Sequence, residues 1–493
     1  MKSNFFRNGF YNTFAGVIRI GLAILTIPLL MRLIGIEEYG LWTLASTIIL
    51  VVTLAEAGLS TATTVFVSQD LGKEDFEDLS QTLTVTVGGI LILATFAAMS
   101  LYFTADTIIS LFSKLEKSQH IVAVHSLQIG SLVVWSRLLQ HILIGVEQAY
   151  QNYGLLNILN TIQYFSLSFG LVIVAWLGGK TVELMQWQAI SSMLILIGHI
   201  WLVRSLIGKN FLRPTWNYDK VLAIANYSFA VWLLTLGTAL FSRGDRLIVG
   251  YCLGSENLGI YGGVTEVASA INSLSSLPVQ PLVPILSNYS RNHNISHAEL
   301  TQKVKQSIEI NTFFALGSAA FLLIISPLIV QLMFANYSVT STLIALQMAV
   351  VIYGLFSLNA TGFYILISTA PKMVMIIQLI SGFFALILIF IGANKFGLLG
   401  AIAGNVGFLL TWLMIFLGLK LLKIPNLLWL KSSSFLLLWF MVCILGSLFI
   451  SQFELLVAFS IIQSLVIMGY FTRIFNQELN ALFQKIMIKK CKN

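Results

Sequence analysis

The sequence predicts an all-α integral membrane protein of about fourteen transmembrane helices, and three observations carry that expectation. The chain of 493 residues is 57% hydrophobic and only 10% charged, against roughly 25% charged in an average soluble domain. Its apolar residues fall into long runs of the length needed to cross about 30 Å of hydrocarbon, roughly 20 residues at 1.5 Å each. The segments between the runs are short and hold most of the lysine and arginine. A soluble fold of this size has too little interior to hide so much apolar side chain.

Taken in order, six spans come first: Phe10 to Ile34, Tyr39 to Thr64, Thr82 to Phe103, Val122 to Val146, Tyr153 to Leu177 and Leu184 to Ile207. Six more follow: Val221 to Tyr251, Leu258 to Leu286, Ile308 to Met333, Leu343 to Ile367, Val374 to Ala393 and Leu398 to Leu421. Two close the chain, Ser433 to Ile450 and Leu455 to Phe471. The first run is too long for a signal-peptide core and no small-residue cleavage site follows it, so it is expected to stay as the first span. The loops leave no room for an appended soluble domain.

Lysine and arginine near the span ends set the orientation. With the N-terminus inside, nineteen of them fall on the cytoplasmic side and seven outside. Both termini are therefore expected in the cytoplasm. The net charge of +8 is this topology signal rather than a nucleic-acid surface, because no basic face is interleaved with aromatics. The three cysteines, Cys252, Cys443 and Cys491, suggest neither a disulfide framework nor a metal cluster.

An internal repeat is legible. The turn after the first span reads Ile34-Gly35-Ile36-Glu37-Glu38-Tyr39-Gly40-Leu41-Trp42, and the turn after the seventh reads Leu253-Gly254-Ser255-Glu256-Asn257-Leu258-Gly259-Ile260-Tyr261. At an ungapped offset of 219 residues both glycines and the first glutamate are identical. Six helices followed by six of the same orientation imply two pseudo-symmetric lobes, residues 1–210 and 211–424, related by an axis along the membrane normal. Residues 425–493, with the last two spans and a basic tail, fall outside the repeat.

No phosphate-binding GxxxxGK[ST] loop and no HExxH are present, so no cofactor, metal or direct ATP drive is expected. Chemistry must come from ionisable side chains inside the spans, which are costly there and normally face a bundle interior or a wet cavity. Arg19 and Arg137 each lie nine residues from the cytoplasmic end of their span, roughly 14 Å deep at 1.5 Å per residue. His141 is one turn from Arg137 on the same face. Arg243 and Arg246 share a face of the seventh span, with Asp245 between them; Glu56, Glu266 and Glu309 complete the set. A cationic lumen of Arg19, Arg137, Arg243 and Arg246 suits an anionic substrate, since guanidinium grips phosphate through two parallel hydrogen bonds. Glu56, Asp245, Glu266 and His141 are candidates for proton or ion coupling. The bland alternative is that each arginine pairs with an internal carboxylate, Arg19 with Glu56 and Arg246 with Asp245, and that His141 makes an interhelical contact. Three prolines, Pro278, Pro281 and Pro284, are expected to bend the eighth span.

Several of these segments resemble one family. Asn12 before a long first helix, Ile27-Pro28-Leu29-Leu30, Leu33-Ile34-Gly35 and Tyr39-Gly40-Leu41-Trp42 are similar to the polysaccharide transporter family, the Wzx-type O-antigen flippases. Glu56-Ala57-Gly58-Leu59-Ser60 resembles its short acidic-Gly-Leu segment, and Asp245-Arg246-Leu247-Ile248-Val249-Gly250 its seventh helix. The resemblance implies the multidrug, oligosaccharidyl-lipid and polysaccharide exporter superfamily, with two six-helix lobes around a central cavity and alternating access. It implies a bacterial inner-membrane flippase for an undecaprenyl-diphosphate-linked oligosaccharide, with membrane lipids and other polysaccharide-assembly proteins as its partners. No particular arginine inherits a role from it. A lipid II flippase or a multidrug exporter of the same superfamily are alternatives. A membrane-embedded glycan polymerase or ligase is a weaker one, because the longest outer segment, Thr104 to Ile121, offers Asp106, Glu116 and His120 without a recognisable constellation.

Overall fold

The computed structural model describes residues 26–472 apart from residues 57, 74–75, 208–214, 281, 284–285, 287–295, 334–338, 450–460, 467 and 471. Every regular element among them is helical. Residues 26–34 (α1) lead into Ile36–Thr53 (α2), Leu59–Gly72 (α3), Phe76–Ser110 (α4), Lys117–Ala149 (α5), Tyr153–Trp176 (α6) and Thr181–Ile207 (α7). Then come Tyr218–Ser276 (α8), His297–Met333 (α9), Val339–Phe356 (α10), Ala360–Thr369 (α11), Pro371–Gly404 (α12), Leu413–Leu421 (α13) and Leu427–Phe449 (α14). Among the described residues nine helical stretches are long and apolar enough to span a membrane. They cover ten of the expected spans, because the eleventh and twelfth run together as Pro371–Leu421. Much of α4, α6 and α12 is exposed and apolar, as Ile92, Phe96, Phe103, Ile173, Trp176 and Phe383 show. Lipid is the solvent for that surface.

Several expected boundaries shift, each for a local reason. The second span does not run through from Tyr39 to Thr64. It stops in a short 3-10 turn, Leu54–Glu56, and Gly58 turns left-handed at φ 74° before α3 begins. Only glycine serves there, because a Cβ would also stand 2.5 Å from the Ser228 carbonyl. The seventh and eighth spans form one helical stretch broken at Gly254 (φ 82°, ψ −176°), and the eighth ends in a 3-10 turn at Leu277–Val279, on the first of its prolines. Pro281 and Pro284 lie outside the described residues. Helix α5 starts on a reciprocal capping box between Glu116 and Gln119, and α8 on Asn217, whose Oδ1 accepts the Asp219 amide at 2.9 Å.

By packing, the chain divides into two compact units. One holds the described residues of Gly21–Gly263 and Gly382–Gly404, the other those of Val264–Ser381 and Asn405–Asn493. These are groupings by contact, whereas the lobes expected from the sequence are groupings by repeat. Within the first unit, α5 is the central member and packs on α2, α3, α4 and α7. Within the second, α9 packs on α10 and α14, and the Tyr470 ring stacks between Phe313 and Phe435.

The repeat is written in the backbone. Gly35 and Gly254 break their helices with nearly the same dihedrals, φ 89°, ψ 163° and φ 82°, ψ −176°. A second pair at the same 219-residue offset is Gly178 (φ 89°) and Gly397 (φ 61°). The contact between the first pair of turns is reciprocal. A Cβ on Gly40 would strike the Ser255 carbonyl, and a Cβ on Gly259 would strike that of Ile36, the residue equivalent to Ser255. Buried polar links repeat as well. Gln140 Nε2 donates to the Ser192 carbonyl at 2.6 Å, and at the same offset Asn359 Nδ2 donates to Thr411 Oγ1 at 2.7 Å.

Candidate functional site

The expected site residues on the first half gather around one face of α5. Three features of Glu56-Ala57-Gly58-Leu59-Ser60 place them. The 3-10 turn presents the Glu56 carboxylate, which pairs through Oε2 with His141 Nδ1. The left-handed Gly58 redirects the chain, and the Ser60 hydroxyl then donates to the His141 carbonyl at 2.8 Å. One turn on, Thr64 Oγ1 donates to the Gly145 carbonyl at 3.2 Å. Gly145 allows this approach, since a Cβ there would stand 2.7 Å from the Ser60 carbonyl. Trp232 on α8 closes the turn by donating Nε1 to the Leu54 carbonyl at 2.8 Å.

Arg137 lies one turn from His141 on the same helix. It is partly accessible, yet its Nε is enclosed and has no hydrogen-bond partner. No carboxylate among the described residues pairs with it; its electrostatic neighbour is the Tyr164 phenol on α6. Helix α5 runs to Ala149 rather than Val146, so Arg137 stands twelve residues from its end, about 18 Å rather than 14 Å. Arg19 lies outside the described residues. Glu56 engages His141, the contact that the simpler reading of His141 anticipated, and the expected pairing of Glu56 with Arg19 falls outside the described residues.

The second cluster lies on α8. Asp245 is buried, and its Oδ2 accepts the Tyr261 hydroxyl at 2.9 Å while Oδ1 is enclosed without a hydrogen bond. Arg243 and Arg246 are half-buried and within electrostatic reach of this carboxylate. Tyr261 is the aromatic that ends the second copy of the repeated turn, so the duplicated motif itself supplies the partner of Asp245. Glu266 is half-buried on the same helix, its carbonyl accepting the Ser269 hydroxyl at 2.9 Å. Glu309 on α9 pairs with Lys305 at 3.8 Å.

Two ionic groups escaped the sequence reading. Asp70, 2% exposed, accepts Thr82 Oγ1 at 2.5 Å and Lys220 Nζ at 3.1 Å, and Lys220 also reaches Asp78 at 3.3 Å. Glu147 and His199 are both fully buried, joined from Oε1 to Nδ1 at 2.8 Å. Glu147 falls one residue past the expected end of its span, and His199 sits inside an otherwise apolar run. Among the described residues no group of three metal-binding side chains occurs.

Comparison with known proteins adds to this geometry. The family described as polysaccharide biosynthesis protein matches residues 5–290. No curated protein matches in sequence. Among solved structures the fold is similar to that of the lipid II flippase MurJ in an inward closed conformation, with a TM-score of 0.72 and 16% identity over 94% of this chain and 99% of that one. It is also similar to an inward-facing multidrug resistance MATE family transporter of the MOP superfamily, with a TM-score of 0.67 and 14% identity over 82% and 94%. A Vibrio cholerae MATE transporter variant follows at a TM-score of 0.57 and 16% identity over 85% and 97%. The architecture is that of MOP-type transporters.

Proposed function

Because the chain belongs to the polysaccharide biosynthesis protein family and its fold is similar to those of the MurJ and MATE structures, we propose that it flips an undecaprenyl-diphosphate-linked oligosaccharide. Transport runs from the inner to the outer leaflet of a bacterial plasma membrane by alternating access, with both termini in the cytoplasm. The working halves are residues 1–210 and 211–424, and residues 425–493 carry the two additional spans. The protein moves its substrate without making or breaking covalent bonds. The product serves cell-surface polysaccharide assembly, O-antigen, capsule or exopolysaccharide, alongside other membrane proteins of that assembly line.

The observation that carries this reading is Arg137. A guanidinium held far from the helix end, partly accessible and paired with no carboxylate among the described residues, is a fixed positive charge able to take an anion. A diphosphate supplies two negative groups and several acceptors for its fork. Arg19, Arg243 and Arg246 are the further candidate cations for the substrate, and Glu56, His141, Asp245 and Glu266 the candidates for proton or ion coupling. A lipid II flippase is the second reading, favoured by the likeness to MurJ over 94% of this chain and 99% of that one.

Reconstitution separates the two. Proteoliposomes are loaded with fluorescent undecaprenyl-diphosphate glycans, one set bearing an O-antigen-type repeat unit and the other lipid II, and outer-leaflet exposure is followed. Faster exposure of the first set than the second supports the proposal, and the reverse order supports the alternative. Exposure of neither, in protein that remains folded, removes both. In cells, deletion of the gene is expected to leave a lipid-linked glycan on the inner leaflet, and its chemical identification names the sugar.

A further inference from the structure

The pair formed by Glu147 on α5 and His199 on α7 has a built-in control. At the 219-residue offset that relates the two halves, their equivalents are Leu366 and Gly418. Leu366 is fully buried, and Gly418 lets its helix close on Ile365, with a Cβ position 3.0 Å from that side chain. The same crossing of the fourth and sixth helices of a repeat is therefore made in the second half without any ionisable group. The buried amide link higher in this crossing is present in both halves, as Gln140 to Ser192 and Asn359 to Thr411. The acid and imidazole are found in the first half only. Packing does not require them, and burying ionisable groups is costly.

Their hydrogen bonding is incomplete in a particular way. One contact joins them, Oε1 to Nδ1 at 2.8 Å, while Glu147 Oε2 and His199 Nε2 are enclosed with no protein partner. Val146, next to Glu147 in sequence, and Val203, one turn from His199, belong to an apolar cluster with Val67 and Leu79 from α3 and α4. Nearby ionisable groups on these helices are engaged elsewhere or exposed, and Arg137 stands ten residues along α5 from Glu147, about 15 Å. Asp70 and Asp78 hold Lys220, Arg204 is exposed, His141 holds Glu56, and Tyr150 sits at the rim of the cluster. Glu37 and Glu38 belong to the other end of α2. Among the described residues no third charge is paired with them.

We propose that Glu147 and His199 form a proton-binding site that couples transport to the proton gradient, a reading that rests on the transporter function given above. One proton is shared along the 2.8 Å contact, on Glu147 Oε1 or on His199 Nδ1, and in either position the enclosed pair is neutral overall. Its loss would leave a net negative charge on an enclosed pair, a costly state away from water. The proton leaves, as hydronium, when opening brings water to the end of α5 that the charge count assigns to the cytoplasm. Glu147 lies two residues from that end.

Infrared spectroscopy of the purified full-length protein in lipid nanodiscs tests the site without any substrate. The expected result is a protonated-carboxyl C=O band that titrates with pH in wild type and is missing from Glu147→Gln, which keeps a hydrogen-bonding group for His199. In His199→Gln the band moves in frequency, because the hydrogen-bond partner of the Glu147 carboxyl has changed. Should Glu147→Gln fail to fold, the double variant Glu147→Leu with His199→Gly copies the second half, whose packing exists, and must also lack the band. Identical spectra for wild type and these variants at every pH overturn the proposal. A titrating band in protein that flips no lipid-linked glycan leaves the proton site standing and removes the flippase reading instead.

Discussion

A guanidinium keeps its charge at every accessible pH, so Arg137 must be solvated by water, by a carboxylate or by a ligand. Among the described residues no carboxylate pairs with it, and the enclosed Nε has no partner. Replacing Arg137 with Ala therefore strands no acid, and abundance and thermal stability are expected to stay near wild type. Flipping should fall about ten- to a hundredfold, the loss of one charge-assisted contact of about 1.5–3 kcal/mol. Arg137→Lys should recover part of it, keeping the charge without the fork. Flipping rate and melting temperature measured on the same variants check this, and full activity of Arg137→Ala at normal abundance would end its role as a ligand. The sequence brought Arg137, His141 and Glu56 into view through one rule, that charge inside a span is costly. The same rule missed Glu147 because the expected span stopped at Val146. It missed Asp70 and Lys220 because charges near a helix end look solvated until the packing buries them.

Helix elements here are positioned by where a side chain is missing. Gly40 and Gly259 face each other's turns, and a Cβ on either would run into backbone of the opposite copy. Backbone cannot yield as a flexible side chain can, so Gly40→Ala and Gly259→Ala are each expected to destabilise by about 1–3 kcal/mol or more. Gly88→Ala, with nothing within 4 Å of the added Cβ, should be neutral or slightly stabilising. Because the first two share one contact, the double variant should cost less than the sum of its parts. Thermal melting of the purified proteins, read as intrinsic fluorescence, decides each point. Gly35 and Gly254 add strain of a second kind, since their positive φ with extended ψ is open essentially to glycine alone. These turns were legible in sequence because glycine and glutamate recur at one offset. The Gly178 and Gly397 pair was not, because its neighbours, Leu177-Gly178-Gly179 and Phe396-Gly397-Leu398, share no other residue. Hydropathy located the spans but not the break at Leu54–Gly58, where a 3-10 turn leaves the apolar run uninterrupted. Propensity is silent where tertiary contact decides.

At the scale of the whole molecule, charge distribution and function meet in the membrane field. From the nineteen-to-seven bias of lysine and arginine we propose that the α3–α4 connection near Gly72 is inside and Ser118 outside. Single cysteines at these positions, in a chain without Cys252, Cys443 and Cys491, should react with an impermeant reagent in intact cells only at Ser118. Labelling at Gly72 from outside would invert the orientation. That orientation fixes the sign of the energetic prediction. A diphosphate headgroup carrying about two negative charges, moved outward from a negative interior, gains up to about 2.3 kcal/mol per charge for each 100 mV. Arg137 and its companions are fixed charges that accompany no substrate to the outer leaflet, so they do not cancel this gain over a full cycle. Proteoliposomes with a potassium diffusion potential, negative on the side from which substrate departs, should therefore flip a diphosphate-linked glycan faster than unpolarised ones. A glycan on an uncharged lipid, if moved at all, should not respond. Collapse of the proton gradient at constant potential separates proton coupling from the field. If that collapse slows wild type and spares the variant with Leu and Gly at positions 147 and 199, the potential acts on the substrate and the proton acts on the protein. Flipping indifferent to both gradients would leave only removal of the product as the driving force.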